Sequence, residues 1–412
     1  MIAILKSYKK HCALVLGFFL CTSLLAIDFG ITIGNDTSFK NWPEKTVEQF
    51  NNVDVWLSEK FTPTVRFYLS ANGAFSFSKT IDTDTPPVSV LIPDLGLSYL
   101  SGVQALGNAG ALEWSVGRIS FYDESRLLTT GLADGVVLKW YNGKVQLGTS
   151  CYFTGLLVKD NATVSMSAQD EVDAVDDNVV FATKRVVYQL VAGVSQAILN
   201  QDIKLQLTGQ NDLNTGSTEK FDSYYATVLL SGNPLPLTSY ELGFSASLQK
   251  EERVDLKSGL LGFSNLTMYL PFKSSILKWD TVYSAPVDKN DTNGFKPVST
   301  TTVSTVMPSI RLGQIMYSAL DFSMQATRSL NMGLKASTFF RTVDKNTAIS
   351  FIDNNSDSYY VGSEGLVFLS WEAFPELALG ANAGLFIPNS TVAVPDIDPL
   401  LYQVSVLVHF KF

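Results

Sequence analysis

Apolar and polar residues alternate with a period of two over many short segments of this 412-residue chain. In residues 402–412 every even-numbered position is apolar or aromatic, whereas most odd-numbered positions are polar. Successive side chains of a β-strand point to opposite faces, so this segment predicts a strand with one apolar face. Such a strand would be an aggregation-prone edge in water, but pairing within a closed barrel in lipid removes that edge.

The same period predicts about eighteen strands along the chain. They cover residues 27–33, 53–57, 65–71, 88–99, 112–121, 136–140, 145–153, 186–190, 203–207, 224–230, 242–248, 260–270, 277–283, 303–326, 332–340, 359–371, 377–387 and 402–412. Segment 303–326 can also be divided into two strands, which would make the total odd. Barrels with both termini on one side need an even number, and the apolar parity continues through the segment. We therefore predict one long strand there, and 14 to 18 strands overall.

Short and long connections alternate between these strands. The short ones lie at Thr62-Pro63, Asn142-Gly143 and Phe374-Pro375, and Asn-Gly is a strong hairpin signal. The long ones cover residues 156–179, 285–302, 342–358 and 388–401. Short periplasmic turns and long outer loops are typical of outer-membrane barrels. The pattern predicts an all-β fold, a transmembrane antiparallel up-and-down β-barrel over residues 27–412. A small plug formed by residues 35–52 is an alternative to an ordinary loop there.

The N-terminal segment has the pattern of an export signal. Lys6, Lys9 and Lys10 precede an apolar run over residues 12–25, and Ala26 supplies a small residue for cleavage. The run is short for a spanning helix, which needs about 20 residues. We therefore predict a cleaved signal peptide over residues 1–26, with an uncleaved membrane anchor as the alternative.

Composition narrows the class further. Only 17% of the residues are charged and 46% are hydrophobic, yet no apolar run beyond the signal is long enough for a membrane helix. Of three cysteines, only Cys151 lies outside the signal, which excludes a disulfide framework and a cysteine-rich metal site. Loss of the three signal lysines changes the formal charge from −9 to −12. An acidic chain is a poor partner for nucleic acid.

Three stretches resemble bacterial outer-membrane β-barrel porins. The last strand ends in Phe410-Lys411-Phe412, and in that group the terminal strand is read by the barrel-assembly machinery. Gly117-Arg118 followed by Asp134-Gly135 is similar to a hairpin of porin-type channels, including alginate-export-like ones. Residues 377–388 are similar to their penultimate strand. The resemblance implies export to the outer membrane, contact with its lipid, and Phe410 and Phe412 as the assembly signal.

Charged residues on the predicted inner face are the candidates for a pore lining. Their apolar neighbours of opposite parity would face lipid, and charges at membrane depth require water or partners. The candidates are Arg66, Arg118, Lys139, Arg185, Lys204, Arg311, Lys335, Glu113, Glu241 and Asp321, with Lys278, Arg341, Asp54, Asp280 and Glu364 on the same face. Barrels of 16–18 strands leave an aqueous channel, so we expect a wet lumen.

The apolar parity switches within the strand that carries Arg118. Leu112, Trp114 and Val116 share one parity, whereas Ile119 and Phe121 have the other. A one-residue β-bulge at Gly117-Arg118 accounts for the switch. It would place Arg118 in the lumen and both Ile119 and Phe121 on the lipid side.

Catalysis is not predicted. His11 leaves with the signal, and His409 stands three residues from the C-terminus with no partner for a catalytic triad. Residues 288–299 only partly match a calcium loop, because the glycine is displaced and position twelve is serine. We expect no enzyme activity, no metal and no cofactor.

Three functions remain open from the sequence. The first is a porin-like channel for passive diffusion of small hydrophilic solutes. The second is a surface-exposed barrel whose long loops act as an adhesin or binding surface. The third is a transporter of hydrophobic substrates, which would need an apolar lumen. Self-association into a homo-oligomer is also left open.

Overall fold

The computed structural model describes residues 27–412, apart from positions 43, 82, 85, 165–166, 168–169, 171, 174–175, 177, 199, 215–219, 252–255, 287–294, 300, 307–309, 344–351, 354–355 and 394–397. The predicted signal peptide, residues 1–26, lies outside the described residues, and its cleavage stays a prediction. Within the described part, no helix is long and apolar enough to span a bilayer.

Eighteen antiparallel strands form a single closed sheet, which confirms the predicted fold class. The first nine are β1 (Asp28–Lys40), β2 (Thr46–Thr62), β3 (Val65–Thr80), β4 (Val88–Ala105), β5 (Ala111–Tyr122), β6 (Thr130–Asn142), β7 (Val145–Phe153), β8 (Arg185–Ile198) and β9 (Gln201–Asp212). The others are β10 (Phe221–Gly232), β11 (Thr238–Glu251), β12 (Lys257–Leu270), β13 (Ser275–Pro286), β14 (Ile315–Gln325), β15 (Leu330–Arg341), β16 (Tyr360–Phe374), β17 (Leu377–Pro388) and β18 (Leu401–Lys411). Short 3-10 turns lie at Gly107–Ala109 and Lys159–Asn161.

The barrel closes between its first and last strands. β1 and β18 pair from Thr32 opposite Lys411 to Lys40 opposite Gln403. Phe412 extends this ladder, because its amide donates to the Ile31 carbonyl at 2.9 Å and its carbonyl accepts from the Ile31 amide at 3.0 Å. The edge that an apolar terminal strand would otherwise present is therefore paired.

The outer surface of the wall is apolar, as the period-two pattern predicts. Val404 and Val406 of β18 are 46% and 51% exposed, whereas Ser405 between them is 6% exposed and faces the interior. The same alternation gives Trp279 and Leu334 exposed outer positions on β13 and β15. An apolar exterior on every side is the surface that a bilayer requires of a spanning barrel.

Strands are joined by tight turns at one end and longer loops at the other. The turns at Pro63-Thr64, Gly143-Lys144 and Pro375-Glu376 confirm three of the predicted hairpins. The longest loops follow β7, β13 and β15. Residues 35–52 belong to β1, β2 and the short loop between them, so the alternative of a plug in this segment is wrong.

The predicted long strand over residues 303–326 is wrong in its first half. Only Ile315–Gln325 forms a strand, β14. Val303, Ile310 and Leu312 lie instead in the preceding loop, where they are buried. Their alternation resembles that of a wall strand because the loop buries one side of an extended segment inside the barrel. The total of eighteen is nevertheless correct, because both interpretations count one strand here.

The predicted bulge in β5 is also wrong. β5 pairs with β4 and with β6 without a register shift at Gly117. The backbone changes direction through the positive φ of Gly117 (126°), a conformation that L residues rarely adopt. Ile119 and Phe121 do not face lipid, because they are 5% and 1% exposed and pack with loop residues in the interior.

Candidate solute passage through the barrel

Outer loops fold into the lumen and pack there as an apolar core. The described residues of the loop between β13 and β14 (295–299, 301–306 and 310–314), here called the luminal loop, contribute most of the loop residues in this core. They meet inward-facing strand residues and the loops after β5 and β7. The core includes Phe121, Leu128, Tyr152, Val164, Phe295, Val298, Val303, Val306, Ile310, Phe339 and Phe386. The outer half of the barrel is therefore narrowed by packed protein.

Glu364 of β16 holds the middle of the luminal loop, at residues 304–306. Its Oε2 accepts hydrogen bonds from the backbone amides of Thr305 and Val306, both at 2.9 Å, and from the Ser304 hydroxyl. Glu364 is only 3% exposed. Hydrogen bonds to a charged acceptor are stronger than neutral ones, so this carboxylate fixes the loop to the wall.

The first described residues of the luminal loop, Lys296 and Ser299 among them, are held by several weaker contacts. The Lys296 carbonyl accepts hydrogen bonds from Tyr225 of β10 and from Gln249 of β11. The amide of Ser299 donates to the Leu128 carbonyl at 2.9 Å, and the Ser299 hydroxyl accepts from the Thr130 amide. The loop thus crosses the lumen from β10 and β11 to β16.

Arg118 lies where two wall strands separate. The β4–β5 ladder ends at the Ser98–Arg118 pair, whereas β4 continues to pair with β3 as far as Val88. The guanidinium fills the resulting gap. It donates to both oxygens of Asp134 at 3.2 and 3.0 Å, to Asp94 Oδ1 at 3.3 Å and to the Leu95 carbonyl at 2.9 Å. Arg118 is 6% exposed, and its buried guanidinium forms ion pairs with the carboxylates of Asp94 and Asp134.

Arg185, like Arg118, is buried and forms ion pairs with two carboxylates. It is fully buried at the start of β8 and forms ion pairs with Asp170 and Asp212. Its Nη1 also donates to the Phe221 carbonyl at 3.1 Å. Because Asp170 belongs to the loop after β7, this cluster connects that loop to β8, β9 and β10. A third buried guanidinium, that of Arg341, donates to the Ser356 carbonyl in the loop after β15.

The loop between β5 and β6 is organised around Asp123. The buried carboxylate accepts hydrogen bonds from the amides of Ser125, Leu128 and Thr129 and from the Ser125 hydroxyl. Burial raises the pKa of the Asp123 carboxyl above its ordinary value, although each of these hydrogen bonds favours the ionised form. Loss of water is the larger effect because the carboxylate has no exposed surface.

A cavity of about 370 Å³ lies below these loops against strands β4 to β9, and it is here called the polar cavity for the hydroxyl, amide and charged side chains that line it beside apolar ones. Its wall carries hydroxyl and amide groups together with three tyrosine rings. The lining includes Tyr99, Ser101, Glu113, Ser115, Tyr122, Lys139, Gln146, Ser150, Tyr152, Gln189 and Gln206. A second hollow of about 350 Å³ shares Ser101, Glu113 and Ser115 with it and reaches the turn at Pro63-Thr64. The two hollows share wall residues of β4 and β5 and adjoin each other between mid-barrel and the short-turn rim, with polar and apolar side chains in both linings.

Glu113, Lys139, Lys204, Asp321 and Lys335 each have a neighbour of opposite sign, either on the adjacent strand or, for Lys204, in the loop after β5. Glu113 of β5 stands opposite Lys139 of β6. Lys204 of β9 contacts Glu124 at 2.5 Å. Asp321 of β14 stands opposite both Lys278 and Lys335. Each of these contacts places an ammonium group beside a carboxylate, which limits the unpaired charge that faces the lumen.

The other predicted residues are placed separately. Arg66 is exposed near the short-turn rim, and its Nε donates to the Ser58 hydroxyl at 2.8 Å. Asp54 accepts from Asn52 and Asn72, and Asp280 accepts from Asn265. Glu241 is partly buried on β11, and Arg311 is exposed within the luminal loop. The uncharged wall residues of the cavity are not among the predicted pore-lining residues, because charge was the signal for that prediction.

Comparisons with known proteins were made by sequence and by structure. No protein-family model matches the chain, and no curated protein matches it. Solved structures do match. OccAB2 of Acinetobacter baumannii superposes with a TM-score of 0.57 at 10% identity, covering 94% of this chain and 98% of that one. OccK5 (OpdH) of Pseudomonas aeruginosa has a TM-score of 0.56 at 11% identity, again with 94% and 98% covered.

A third match is named as an outer membrane protein. This is opdK from Pseudomonas aeruginosa, with a TM-score of 0.54, 11% identity, and 94% and 98% of the two chains covered. The fold is that of a bacterial outer-membrane barrel. The expected likeness to porin-type barrels is thus confirmed in fold over nearly the whole described chain. Because the sequence identities are only 10–11%, this likeness shows the architecture alone.

Proposed function

We propose that this protein is an outer-membrane channel for passive diffusion of small hydrophilic solutes. The observation that carries the proposal is the pair of adjoining hollows, lined in part by polar and charged side chains, between mid-barrel and the rim at Pro63-Thr64. Polar walls at membrane depth are stable only where they meet water or partners. The fold, shared with known outer-membrane proteins, supports the same location for this chain.

The two alternatives from the sequence are less well supported. A transporter of hydrophobic substrates would need an apolar path, whereas the cavity wall is rich in polar groups. An adhesin would present its loops outward. Parts of the loops after β5, β7 and β13, among them Leu128, Val164 and Val298, instead pack in the apolar core. Phe410 and Phe412 as an assembly signal, the assembly machinery as a partner, and self-association remain predictions.

Single-channel recording tests the proposed channel. The protein is refolded in detergent, its folded state is verified by heat-modifiable migration, and it is inserted into planar bilayers. We expect discrete current steps, and swelling of liposomes in an isotonic solution of a small sugar. Folded barrel without current steps and without swelling would contradict the proposal. Current steps without any solute-driven swelling would restrict it to ions.

A further inference from the structure

The polar cavity has the chemistry of a binding site and not only of a water-filled gap. Its volume of about 370 Å³ falls within the roughly 300–1,000 Å³ usual for small-molecule sites. Rings from Tyr99, Tyr122 and Tyr152 supply flat apolar surface. The Gln146 amide and hydroxyls of Ser115 and Ser150 supply hydrogen-bonding groups on the same wall.

The charged side chains that line this cavity each have a neighbour of opposite sign. Among the described lining residues, the charged side chains are Glu113, Glu124 and Lys139. Glu113 faces Lys139 across the β5–β6 ladder, and Glu124 is paired with Lys204. Two carboxylates are therefore matched by two ammonium groups. A solute ion would lose hydration here without gaining a surplus counter-charge, whereas a neutral solute has no such cost.

A row of aromatic rings leads along the inner wall to the cavity. Trp56 of β2 stacks on Tyr68 of β3, with ring centroids 6.3 Å apart, and Tyr68 stacks on Tyr99 of β4 at 5.5 Å. Gly30 of β1 stands opposite Trp56, and a Cβ there would lie 2.6 Å from the indole ring. A larger residue at position 30 would displace Trp56, so the glycine gives the first ring its place. Tyr99 ends the row and lines the cavity.

We propose that this cavity is a subsite for neutral polyhydroxylated solutes, of which a monosaccharide ring is the simplest. Such a ring has apolar C–H surface for the tyrosine rings and hydroxyls for the amides and serines. The Trp56–Tyr68–Tyr99 row continues the same kind of surface beyond the cavity. This inference rests on the proposed channel function and adds a solute class to it.

Three solutes of nearly equal size and different charge test the inference. Glucose is neutral, gluconate is an anion and glucosamine is a cation at neutral pH. Swelling of liposomes that contain the wild-type channel should be several-fold faster in glucose than in either charged solute at equal osmolarity. Counter-ions that permeate readily are avoided in the charged solutions. Gluconate or glucosamine entering as fast as glucose would overturn the proposal.

Charge variants separate the subsite from a simple sieve. Glu113→Gln leaves Lys139 without its partner and should raise gluconate entry relative to glucosamine. Lys139→Gln should do the opposite, and the double variant should regain the preference for glucose. A sieve based on size alone would give the same solute order in all four proteins, which would contradict the inference.

Glucose binding is measured as the reduction of ionic current by added sugar. Tyr99→Ala should raise the half-blocking glucose concentration about fivefold, the effect expected for loss of one aromatic contact worth about 1 kcal/mol. Tyr283→Ala is the matched control, because Tyr283 is exposed on the outer face of the wall. Equal block in all three proteins would overturn the assignment of Tyr99. Absence of current in the wild type would instead overturn the channel function itself.

Discussion

Oε2 of Glu364 accepts a hydrogen bond of 2.9 Å from the backbone amide of Val306, joining β16 to a loop that begins at the end of β13. Contacts between Glu364 and this loop hold it across the lumen at the β16 side. This contact fixes the loop to the wall at β16, in addition to the contacts that it makes with Tyr225, Gln249 and Leu128. Two amides and a hydroxyl satisfy Oε2, whereas Oε1 of the same carboxylate is buried without a hydrogen-bond partner among the described residues.

Glu364→Ala should release residues 304–306 of the luminal loop from β16. The amides of Thr305, which is exposed, and of Val306, which is buried, would lose their acceptor, and the unsatisfied Val306 amide would cost about 1–3 kcal/mol. We expect a higher mean conductance and more frequent transitions between current levels in planar bilayers. Glu364→Gln retains one acceptor oxygen and should have a smaller effect. Glu372→Ala, an exposed carboxylate near the other end of β16, is the control. Unchanged current noise in Glu364→Ala would show that other contacts hold the loop.

Arg118→Ala should destabilise the barrel. Removing the guanidinium leaves Asp94 and Asp134 without their shared cation, and breaking a buried pair typically costs about 3–5 kcal/mol. We expect the heat-modifiable form to convert at a lower temperature than in the wild type. Arg66→Ala removes an exposed guanidinium and should change this temperature little. An unchanged conversion temperature together with a shifted reversal potential would indicate that Arg118 acts as a pore charge.

Gly117→Ala should impair assembly. The positive φ of Gly117 costs an L residue about 1–3 kcal/mol, and its Cβ would lie 2.2 Å from the Ser98 carbonyl oxygen. The expected result is a smaller folded fraction after refolding, measured by heat-modifiable migration. Gly262→Ala is the control on another strand, because a Cβ at Gly262 meets no atom within 4 Å. Equal folded fractions for the two variants would contradict the steric argument.

Asp123 should make the stability of the inner loops dependent on pH. Its pKa is raised from 3.8 in the folded protein, so the folded state binds the proton more tightly than the unfolded state. Its contribution to stability is therefore greatest below pH 3.8 and decreases as pH rises through the folded pKa. Asp123→Asn removes this titration. Thermal midpoints of the two proteins, followed by near-ultraviolet circular dichroism, should shift in favour of the wild type as pH falls. Parallel pH curves would count against the raised pKa.

Much of the wall could be predicted from local pattern alone. Residues 402–411 lie in a strand because alternation is a property of neighbouring residues. The Asn142-Gly143 pair predicts the hairpin within one residue of the observed turn at Gly143-Lys144, because two residues suffice to specify a turn. The interior could not be predicted in the same way. Ile310 and Leu312 alternate like wall residues, but their apolar side faces packed loops and not lipid. Alternation of apolar and polar residues indicates that one side of an extended segment is buried, but it does not indicate whether lipid or protein buries that side.

The candidate site shows the same limit. Parity placed Glu113 and Lys139 on the inner face, and the structure places them opposite each other. It could not reveal that Arg118 lies in a gap between β4 and β5, because that gap results from where a ladder ends. Nor could it bring Trp56, Tyr68 and Tyr99 together, since their contact depends on the register of three strands.

The apolar core inside the outer half of the barrel has a consequence for chemical denaturants. The outer surface of the wall is held by lipid or detergent, whereas the loop core is held by the hydrophobic effect against water in the lumen. Urea weakens the second by solvating apolar and peptide groups, and it reaches the core from the aqueous side. Moderate urea should therefore loosen the inner loops while the strand ladder stays intact. In bilayer recordings, it would act as a reversible opener of the passage.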